Sequence, residues 1–320
     1  MQAAVVDTFS APPRFGQFRN PEPGPGEVLI RVRAAALSNL VRAQAAGKHY
    51  SSGNELPLVP GNDGVGTLPD GSRVYFLFPR APFGSMAEYT AVQKDRIIPI
   101  PETLDDATAA ALANPGMASW GALLGRARFH SGESVLINGA TGVAGQQAVQ
   151  AAKLLGASRI IATGRNQQTL EELLTLGATE TIALTDDDAE TQQRLQATLA
   201  TSKPDVVLDY LWGSSALSIL KSLAGKGAVY GEPRIRFIQI GSASGEEIAL
   251  PAHLLRSSGI ELLGSGLGSL SLKEILSALE VQYRHAASGQ LTIDTELLPL
   301  AQVADAWSHK ESGTRTVLTL

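Results

Sequence analysis

The sequence predicts an α/β protein in which a β-rich segment precedes a doubly wound parallel sheet, and three observations carry this prediction. Up to Asn114, short apolar runs alternate with Pro-Gly and Asp-Gly pairs, as in barrels or sandwiches of short strands. Beyond Asn114, apolar runs alternate with segments of helical period. At residues 134–156, one junction between such a run and a helix also carries a glycine-rich turn.

In the first segment, runs of apolar and β-branched residues between turn pairs predict strands. These strands cover residues 2–6, 27–36, 73–77 and 86–92. One helix, at residues 40–46, is expected to interrupt them.

In the second segment, runs of Val, Ile and Leu without alternation predict strands buried on both faces, and the helices between them predict parallel pairing. The predicted strands are residues 134–137, 159–163, 181–184, 206–210, 237–240 and 260–263. The predicted helices are residues 145–155, 168–176, 188–200 and 215–224. Two more helices, at 272–287 and 303–309, and a strand at 316–320 follow.

Composition excludes several classes of function. The chain of 320 residues has no cysteine, which excludes disulfides, thiolate nucleophiles and thiolate-bound zinc. Its five histidines have no metal-ligand spacing, so no metal site is expected. The net charge of −5 argues against binding to nucleic acid or to an anionic membrane surface. The sequence has no apolar run of about 18 residues and no signal-like start, so we expect a cytoplasmic protein without a membrane anchor.

The glycine-rich turn indicates a dinucleotide site. A glycine at 142 would let the backbone approach a pyrophosphate, and one at 145 would let the helix pack closely on the strand. The helix N-terminus would present its free N–H groups to the anion. A purely structural βα turn is the alternative interpretation. The predicted cofactor contacts in this turn are Ala140, Thr141, Gly142, Val143 and Gly145, with Ala140 in the place of the motif's first glycine.

The end of the next strand predicts which dinucleotide binds. An NAD site usually has an acidic residue there, which bonds the ribose 2′-OH. Here the first acid after that strand is Glu171, whereas Arg165 could bind a 2′-phosphate through its guanidinium. We therefore predict NADP as the cofactor; a solvated Arg165 without a ligand is the alternative. The predicted contacts here are Thr163, Gly164, Arg165 and Asn166.

Taken together, these segments resemble the medium-chain dehydrogenase/reductase superfamily, in its zinc-independent quinone-oxidoreductase (zeta-crystallin-like) branch. The landmarks are GPGEVLI at 24–30, Ser38-Asn39, LVPGNDGVG at 58–66, GSMAEY at 84–89, the glycine-rich turn, and DVVLD at 205–209. Asn62-Asp63 stands where zinc-dependent members have His-Glu, which implies that the metal-dependent branch is excluded.

The resemblance implies a GroES-like β-rich catalytic domain at residues 1–116 and 268–320, with an inserted Rossmann domain at 117–267. It also implies a homodimer, and further cofactor contacts at the ends of the last two strands of the Rossmann sheet. Those contacts are Ile240, Gly241, Ser242, Gly264 and Ser265.

The resemblance further implies that substrate lies in a cleft between the domains, over the nicotinamide, with three candidate catalytic residues. Asn39 would hydrogen-bond a substrate carbonyl or the cofactor, or else cap the helix that follows it. Tyr50 would donate to developing negative charge, or else only cover the cleft. Arg42 replaces the family's usual Asp, which indicates an anionic or very polar substrate unless its side chain faces solvent. His49, beside Tyr50, could titrate near neutral pH, with an ordinary loop histidine as the alternative.

The function expected from these residues is a metal-free, NADPH-dependent oxidoreductase that transfers hydride to a small quinone or enone. One alternative is a 2-enoyl thioester reductase, for which Arg42, Lys48 and Arg80 would have to bind the carrier phosphate. A non-catalytic NADP-binding redox sensor is another alternative.

Overall fold

The computed structural model describes residues 1–53, 55–201, 203–224, 231–309 and 313–320, and the chain forms two compact units. Unit 1 comprises Met1–Asn114 and Tyr283–Leu320, and unit 2 comprises Pro115–Gln282. The first predicted boundary, after residue 116, lies close to the observed one. The second predicted boundary follows residue 267, and the observed division follows Gln282, whose amide packs so closely on Gly116 that a Cβ there would lie 1.8 Å from Nε2.

Unit 1 is built on a sheet of seven strands in the order β14-β15-β3-β4-β5-β7, with β6 also paired to β3, and on a separate β1-β2 pair. The strands are β1 (Gln2–Val5), β2 (Arg14–Gln17), β3 (Glu27–Ala36), β4 (Asp63–Thr67), β5 (Arg73–Leu77), β6 (Tyr89–Gln93), β7 (Ile97–Pro99), β14 (Thr295–Pro299) and β15 (Arg315–Thr319). The helices are α1 (Asn39–Ala45), most of α2 (Asp106–Trp120), the end of α8 (Leu272–Ala287) and α9 (Val303–Ser308).

The core of unit 1 forms where the strands of its N-terminal part meet its C-terminal elements. Val5, Leu37 and Met86 from the first part pack with Val303 and Leu318 from the second, and all five are buried. The C-terminal residues therefore complete this core, as expected from the resemblance.

Unit 2 contains a six-stranded sheet, parallel throughout, in the order β10-β9-β8-β11-β12-β13. In chain order this is 3-2-1-4-5-6, the arrangement of dinucleotide-binding doubly wound sheets, and it confirms the predicted fold class. The strands are β8 (Ser134–Asn138), β9 (Arg159–Gly164), β10 (Glu180–Ala183), β11 (Val206–Asp209), β12 (Arg234–Gln239) and β13 (Gly259–Gly264). The helices wholly within this unit are α3 (Val143–Leu154), α4 (Gln167–Leu176), α5 (Asp188–Leu199), α6 (Gly213–Leu223) and α7 (Ala252–Arg256).

Helix α2 and the π-helical turn that follows it, Gly121–Ala127, were not predicted. The helix is rich in alanine, is buried on nearly every side and contains Pro115, so it lacks the one-sided apolar stripe that identifies a surface helix. Its start does have a signal, because the Asp105 side chain accepts the Thr108 N–H at 2.8 Å, as an N-cap does.

Candidate active site

The carboxyl ends of five strands lie side by side along one edge of the parallel sheet. Register pairs Thr163 with Asn138, Asn138 with Asp209, Asp209 with Gln239, and Gln239 with Gly264. The cofactor residues predicted on separate segments of the sequence therefore lie at this one edge, where ligands of such sheets bind.

The tight turn at the end of β8 is made by Gly139, not by Ala140 as predicted. Gly139 has a φ of +88°, which favours glycine, and the side chain of Leu211 lies against it. Ala140 is fully buried, and its N–H donates to the Thr163 carbonyl at 2.7 Å. The spacing of three residues between Gly139, Gly142 and Gly145 is the sequence signal that could have identified the first of them.

The other two glycines of the turn have different roles. A Cβ on Gly145 would lie 2.4 Å from the Gly139 carbonyl oxygen, so glycine is required for α3 to pack on the turn. A Cβ on Gly142 would meet its nearest protein atom only at 3.9 Å, and Gly142 has an ordinary φ of −80°. The protein itself thus leaves the space above Gly142 open, directly before the first turn of α3. Thr141 and Val143 lie on either side of it, with Val143 almost fully buried as the first residue of α3.

A buried hydrogen-bond network holds this turn in place. The Asn138 amide donates to Asp209 Oδ1 at 2.8 Å and to Ser215 Oγ at 3.0 Å, while the Thr163 hydroxyl donates to Asn138 Oδ1 at 2.8 Å. Thr163 is fully buried and its oxygen also accepts the Gly139 N–H, so it positions the turn rather than contacting a ligand as predicted.

Asp209 fixes the loop on the other side of the turn. Its Oδ1 accepts the N–H groups of Leu211 and Trp212 at 3.1 Å each, and burial raises the pKa of its carboxyl. Sequence reasoning missed Asn138 and Asp209 as site residues. Their signal is a polar residue directly after an apolar run at the end of a strand, in SVLIN and VVLD.

The residues after β9 form an exposed corner suited to an anion. A Cβ on Gly164 would lie 2.3 Å from the Thr141 side chain, so glycine lets the two segments touch. Arg165 is exposed, and within the described ranges its guanidinium makes no hydrogen bond or ion pair. The Asn166 side chain caps α4 by accepting the Thr169 N–H at 3.1 Å, and its contact with the cofactor stays a prediction.

The ends of β12 and β13 continue the same edge. The N–H groups of Ile240 and Gly241 donate to the Asp209 carbonyl at 2.8 and 3.1 Å, and Ser242 beyond them is exposed. The Ser265 N–H donates to the Gln239 carbonyl, while Gly264 has open space where a Cβ would be.

Helix α1 carries two of the predicted catalytic residues in different settings. Ser38, not Asn39, is its N-cap, accepting the Val41 N–H at 3.2 Å, and Asn39 is exposed on the first turn. The Arg42 guanidinium donates to the Trp307 carbonyl, to that of Ala306 at 3.2 Å and to that of His309 at 2.7 Å. Since these carbonyls lie at the end of α9, Arg42 joins two helices, and its catalytic role stays a prediction.

Tyr50 lies in the loop after α1 and its side chain is 80% exposed. Its ring contacts that of His49, with centroids 4.1 Å apart and the planes inclined by 36°. The loop thus presents an aromatic surface to solvent.

Asn62 and Asp63, in the positions of the family's zinc-binding sequence, both bond to protein groups. The Asn62 amide donates to Gln44 Oε1 at 2.5 Å. Asp63 is buried and accepts the Tyr75 hydroxyl at 2.9 Å, and burial raises the pKa of its carboxyl to about 6. Among the residues that the structure describes, no group of three or more metal-binding side chains comes together. Nor does any helix in the described ranges have the length and hydrophobicity needed to cross a membrane.

The order of the parallel sheet and its glycine-rich turn define unit 2 as a dinucleotide-binding domain of the Rossmann type. The chain belongs to the medium-chain dehydrogenase/reductase superfamily, as its sequence predicted. Residues 144–280 match the family described as zinc-binding dehydrogenase. The chain is 30% identical to the 2-methylene-furan-3-one reductase of Solanum lycopersicum, over 83% of this chain and 71% of that one.

Two further proteins are similar over nearly their whole length. One, from Emericella nidulans, bears the name "Probable NADPH-dependent quinone reductase tdiC" and is 28% identical over 99% of both chains. The other is the quinone oxidoreductase of Thermus thermophilus, whose structures include a complex with NADPH. It superposes on 100% of both chains with a TM-score of 0.80 and 27% identity.

Proposed function

We propose that this chain is an NADPH-dependent oxidoreductase that reduces a quinone or a conjugated carbonyl compound without a metal. The observation that carries the proposal is the open space over Gly142 at the start of α3, together with the Arg165 guanidinium after the neighbouring strand, which has no partner among the described residues. Relatives named as a probable quinone reductase, a 2-methylene-furan-3-one reductase and an alkenal/one oxidoreductase support the same class of reaction.

The residues present fit NADPH. Glycine at 142 leaves room that a methyl group would fill, and the first N–H groups of α3 point along the helix axis toward an anion at that position. Arg165 would bind the 2′-phosphate, and no acidic side chain precedes Glu171 after β9 to repel it. When bound, NADPH supplies the hydride.

The acceptor would be bound by residues of unit 1. The Tyr50 hydroxyl and the Asn39 amide, both exposed, are the groups we assign to hydrogen-bonding its oxygen. A metal is not part of the proposal because Asn62 uses its amide to hold Gln44 and the buried Asp63 is bonded to Tyr75. Polarisation of the acceptor therefore depends on hydrogen bonds.

The contacts of the basic residues argue against reduction of a thioester. Arg80 donates to Glu27 at 2.9 and 3.1 Å and to the Glu22 carbonyl at 2.8 Å, and Arg42 is bound to the end of α9. Of the three basic residues considered for a carrier phosphate, these two already bind protein groups.

We also propose a homodimer formed through β13, which lies at the edge of the parallel sheet and exposes 39% of Leu262. An unpaired strand edge is a template for pairing with a second copy. Light scattering on the purified protein would show twice the chain mass, and a purely monomeric protein would refute this part.

The main test is oxidation of NADPH with 9,10-phenanthrenequinone and with a panel of small enones, followed by absorbance. We expect turnover that is retained after treatment with a chelator and is much slower with NADH. NADPH binding in calorimetry without turnover on either panel would favour the redox sensor, and turnover only on enoyl thioesters would favour the thioester reductase.

A further inference from the structure

A chain of hydrogen bonds within unit 1 holds the ring of His49. The Asn62 amide donates to Gln44 Oε1, and the Gln44 amide donates to Ser51 Oγ at 2.8 Å. Ser51 Oγ in turn lies 2.7 Å from His49 Nδ1. Residues before β4 and on α1 thus act on this ring nitrogen through Ser51.

The contacts of Nδ1 determine which ring nitrogen carries the hydrogen. The backbone N–H of Ser51 donates to Nδ1 at 3.2 Å, so this nitrogen is an acceptor and has no hydrogen. The Ser51 hydroxyl, which already accepts from Gln44, can then donate its own hydrogen to the same nitrogen. His49 is therefore the neutral tautomer with its hydrogen on Nε2.

The surroundings of the ring favour this neutral form. Partial burial lowers the pKa of His49, and the groups that contact its side chain, in Ser51 and Tyr50, are uncharged at neutral pH. On the elements that hold the loop, the Arg42 guanidinium is bound to the end of α9 and Asp63 to Tyr75. Lys48, the residue before His49, is exposed.

We propose that His49 is a further catalytic residue, whose Nε2–H donates a hydrogen bond to the acceptor oxygen as negative charge develops there. Ser51, Gln44 and Asn62 are positioning residues that hold its tautomer. This rests on the proposed function, in which the acceptor binds beside Tyr50, the ring that His49 contacts.

The step balances with His49 neutral throughout. Bound NADPH would supply hydride, with its two electrons, to the acceptor, whose π electrons would move onto its oxygen. The oxygen anion is stabilised by Nε2–H and then takes a proton from water, so that acceptor, NADPH and one proton give reduced acceptor and NADP⁺. A neutral donor of this kind acts by electrostatic stabilisation, without giving up its own proton.

Two variants of His49 separate the donor from the bulk of the side chain. His49→Gln keeps an N–H near the place of Nε2, whereas His49→Asn keeps an amide only near Nδ1 and cannot reach the acceptor. We expect kcat with 9,10-phenanthrenequinone to fall about tenfold to hundredfold in His49→Asn, with the KM for NADPH unchanged, and to recover most of this loss in His49→Gln. Ser51→Ala, which removes the hydroxyl bond to Nδ1 but keeps the backbone N–H bond, should give a smaller loss, and melting temperatures should stay near that of the wild type.

The pH profile of kcat and the tautomer of His49 are two measurements that distinguish a catalytic role from a merely structural one. The wild-type kcat should stay level through the range in which a free histidine titrates, because the donor does not ionise in turnover. A kcat that falls as this range is crossed toward alkaline pH, or equal activity in His49→Asn and the wild type, would overturn the proposal. Nitrogen NMR of the free protein should show the hydrogen on Nε2, and a hydrogen on Nδ1 would also overturn it. No turnover in the wild type on any acceptor, with the Nε2 tautomer observed, would instead refute the proposed function and with it the catalytic role of His49.

Discussion

Replacing Gly142 by alanine should weaken NADPH binding while leaving the fold intact. The new Cβ would be in ordinary contact with the Gly139 oxygen at 3.9 Å, and a φ of −80° suits alanine. Because alanine is a poorer N-cap residue than glycine, stability should fall by no more than about 1 kcal/mol. The methyl group would nevertheless occupy the space proposed for the pyrophosphate, and we expect the Kd for NADPH to rise at least about tenfold, or about 1.4 kcal/mol.

Gly145→Ala is the matched variant, one helical turn further along α3. Its Cβ would lie 2.4 Å from the Gly139 oxygen and 2.5 Å from Ala140 Cα, and neither backbone atom can yield as a flexible side chain does. Overpacking of this kind costs about 1–3 kcal/mol, which in a unit of this size lowers the Tm by several degrees. Here the loss of stability should be at least as evident as the loss of binding.

Thermal melts without ligand and calorimetric titrations with NADPH distinguish the two effects. The two variants should show opposite patterns: Gly142→Ala loses affinity at nearly constant Tm, and Gly145→Ala loses Tm. If Gly142→Ala binds NADPH as the wild type does, the open space over residue 142 is not the pyrophosphate site.

Three further variants test other parts of the site. Arg165→Asp should raise the Kd for NADPH at least about tenfold and change that for NADH much less, since only NADPH has a 2′-phosphate; equal losses in calorimetry would exclude that role. Burial raises the pKa of Asp63 from 3.8 to about 6, so the folded protein keeps a proton that the unfolded chain releases. The free energy of unfolding therefore falls by about 3 kcal/mol as the pH rises through this window. In urea unfolding, the stability of Asp63→Asn relative to the wild type should therefore increase from pH 4 to pH 7, and a constant difference would contradict the assignment. Arg42→Ala should lower the Tm by about 3–6 °C through loss of its bonds to the end of α9, with kcat changed less than about twofold; a large loss of kcat at constant Tm would restore its catalytic role.

The sequence predicted the parallel sheet well because its four central strands, β9, β8, β11 and β12, are mostly buried on both faces and are recognised by their continuous apolar runs. The glycines at 142 and 145 could also be predicted, because a close approach of another group to the backbone requires glycine. The motif also predicted a separate reason for each of them, close approach of the cofactor at 142 and close packing of the helix at 145. Only the distances show that Gly145 is required by the protein and that Gly142 is not.

Polar side chains at the ends of elements were harder to interpret. Asn166 and Thr163 both follow the pattern of a cofactor contact, but one caps a helix and the other bonds to Asn138 across the sheet. The role of Arg42 depends on residues more than 260 positions later in the chain. Partners at such separations leave no local pattern, so a single sequence favours the functional interpretation over the structural one.

The division of unit 1 between the two ends of the chain has a consequence for biosynthesis. Strand β3 pairs with β15, and Arg42 binds the end of α9, so the first 114 residues need the last 38 to complete their sheet and core. Translation of the intervening unit takes about 10–30 s at ordinary bacterial or eukaryotic rates. Throughout that time the nascent N-terminal segment exposes an unpaired strand edge and apolar residues that belong inside, while unit 2 can fold as soon as it leaves the ribosome. We therefore expect chaperones to bind the first segment of this protein during translation. When chaperones are scarce, we expect that segment to aggregate while it is still bound to the ribosome.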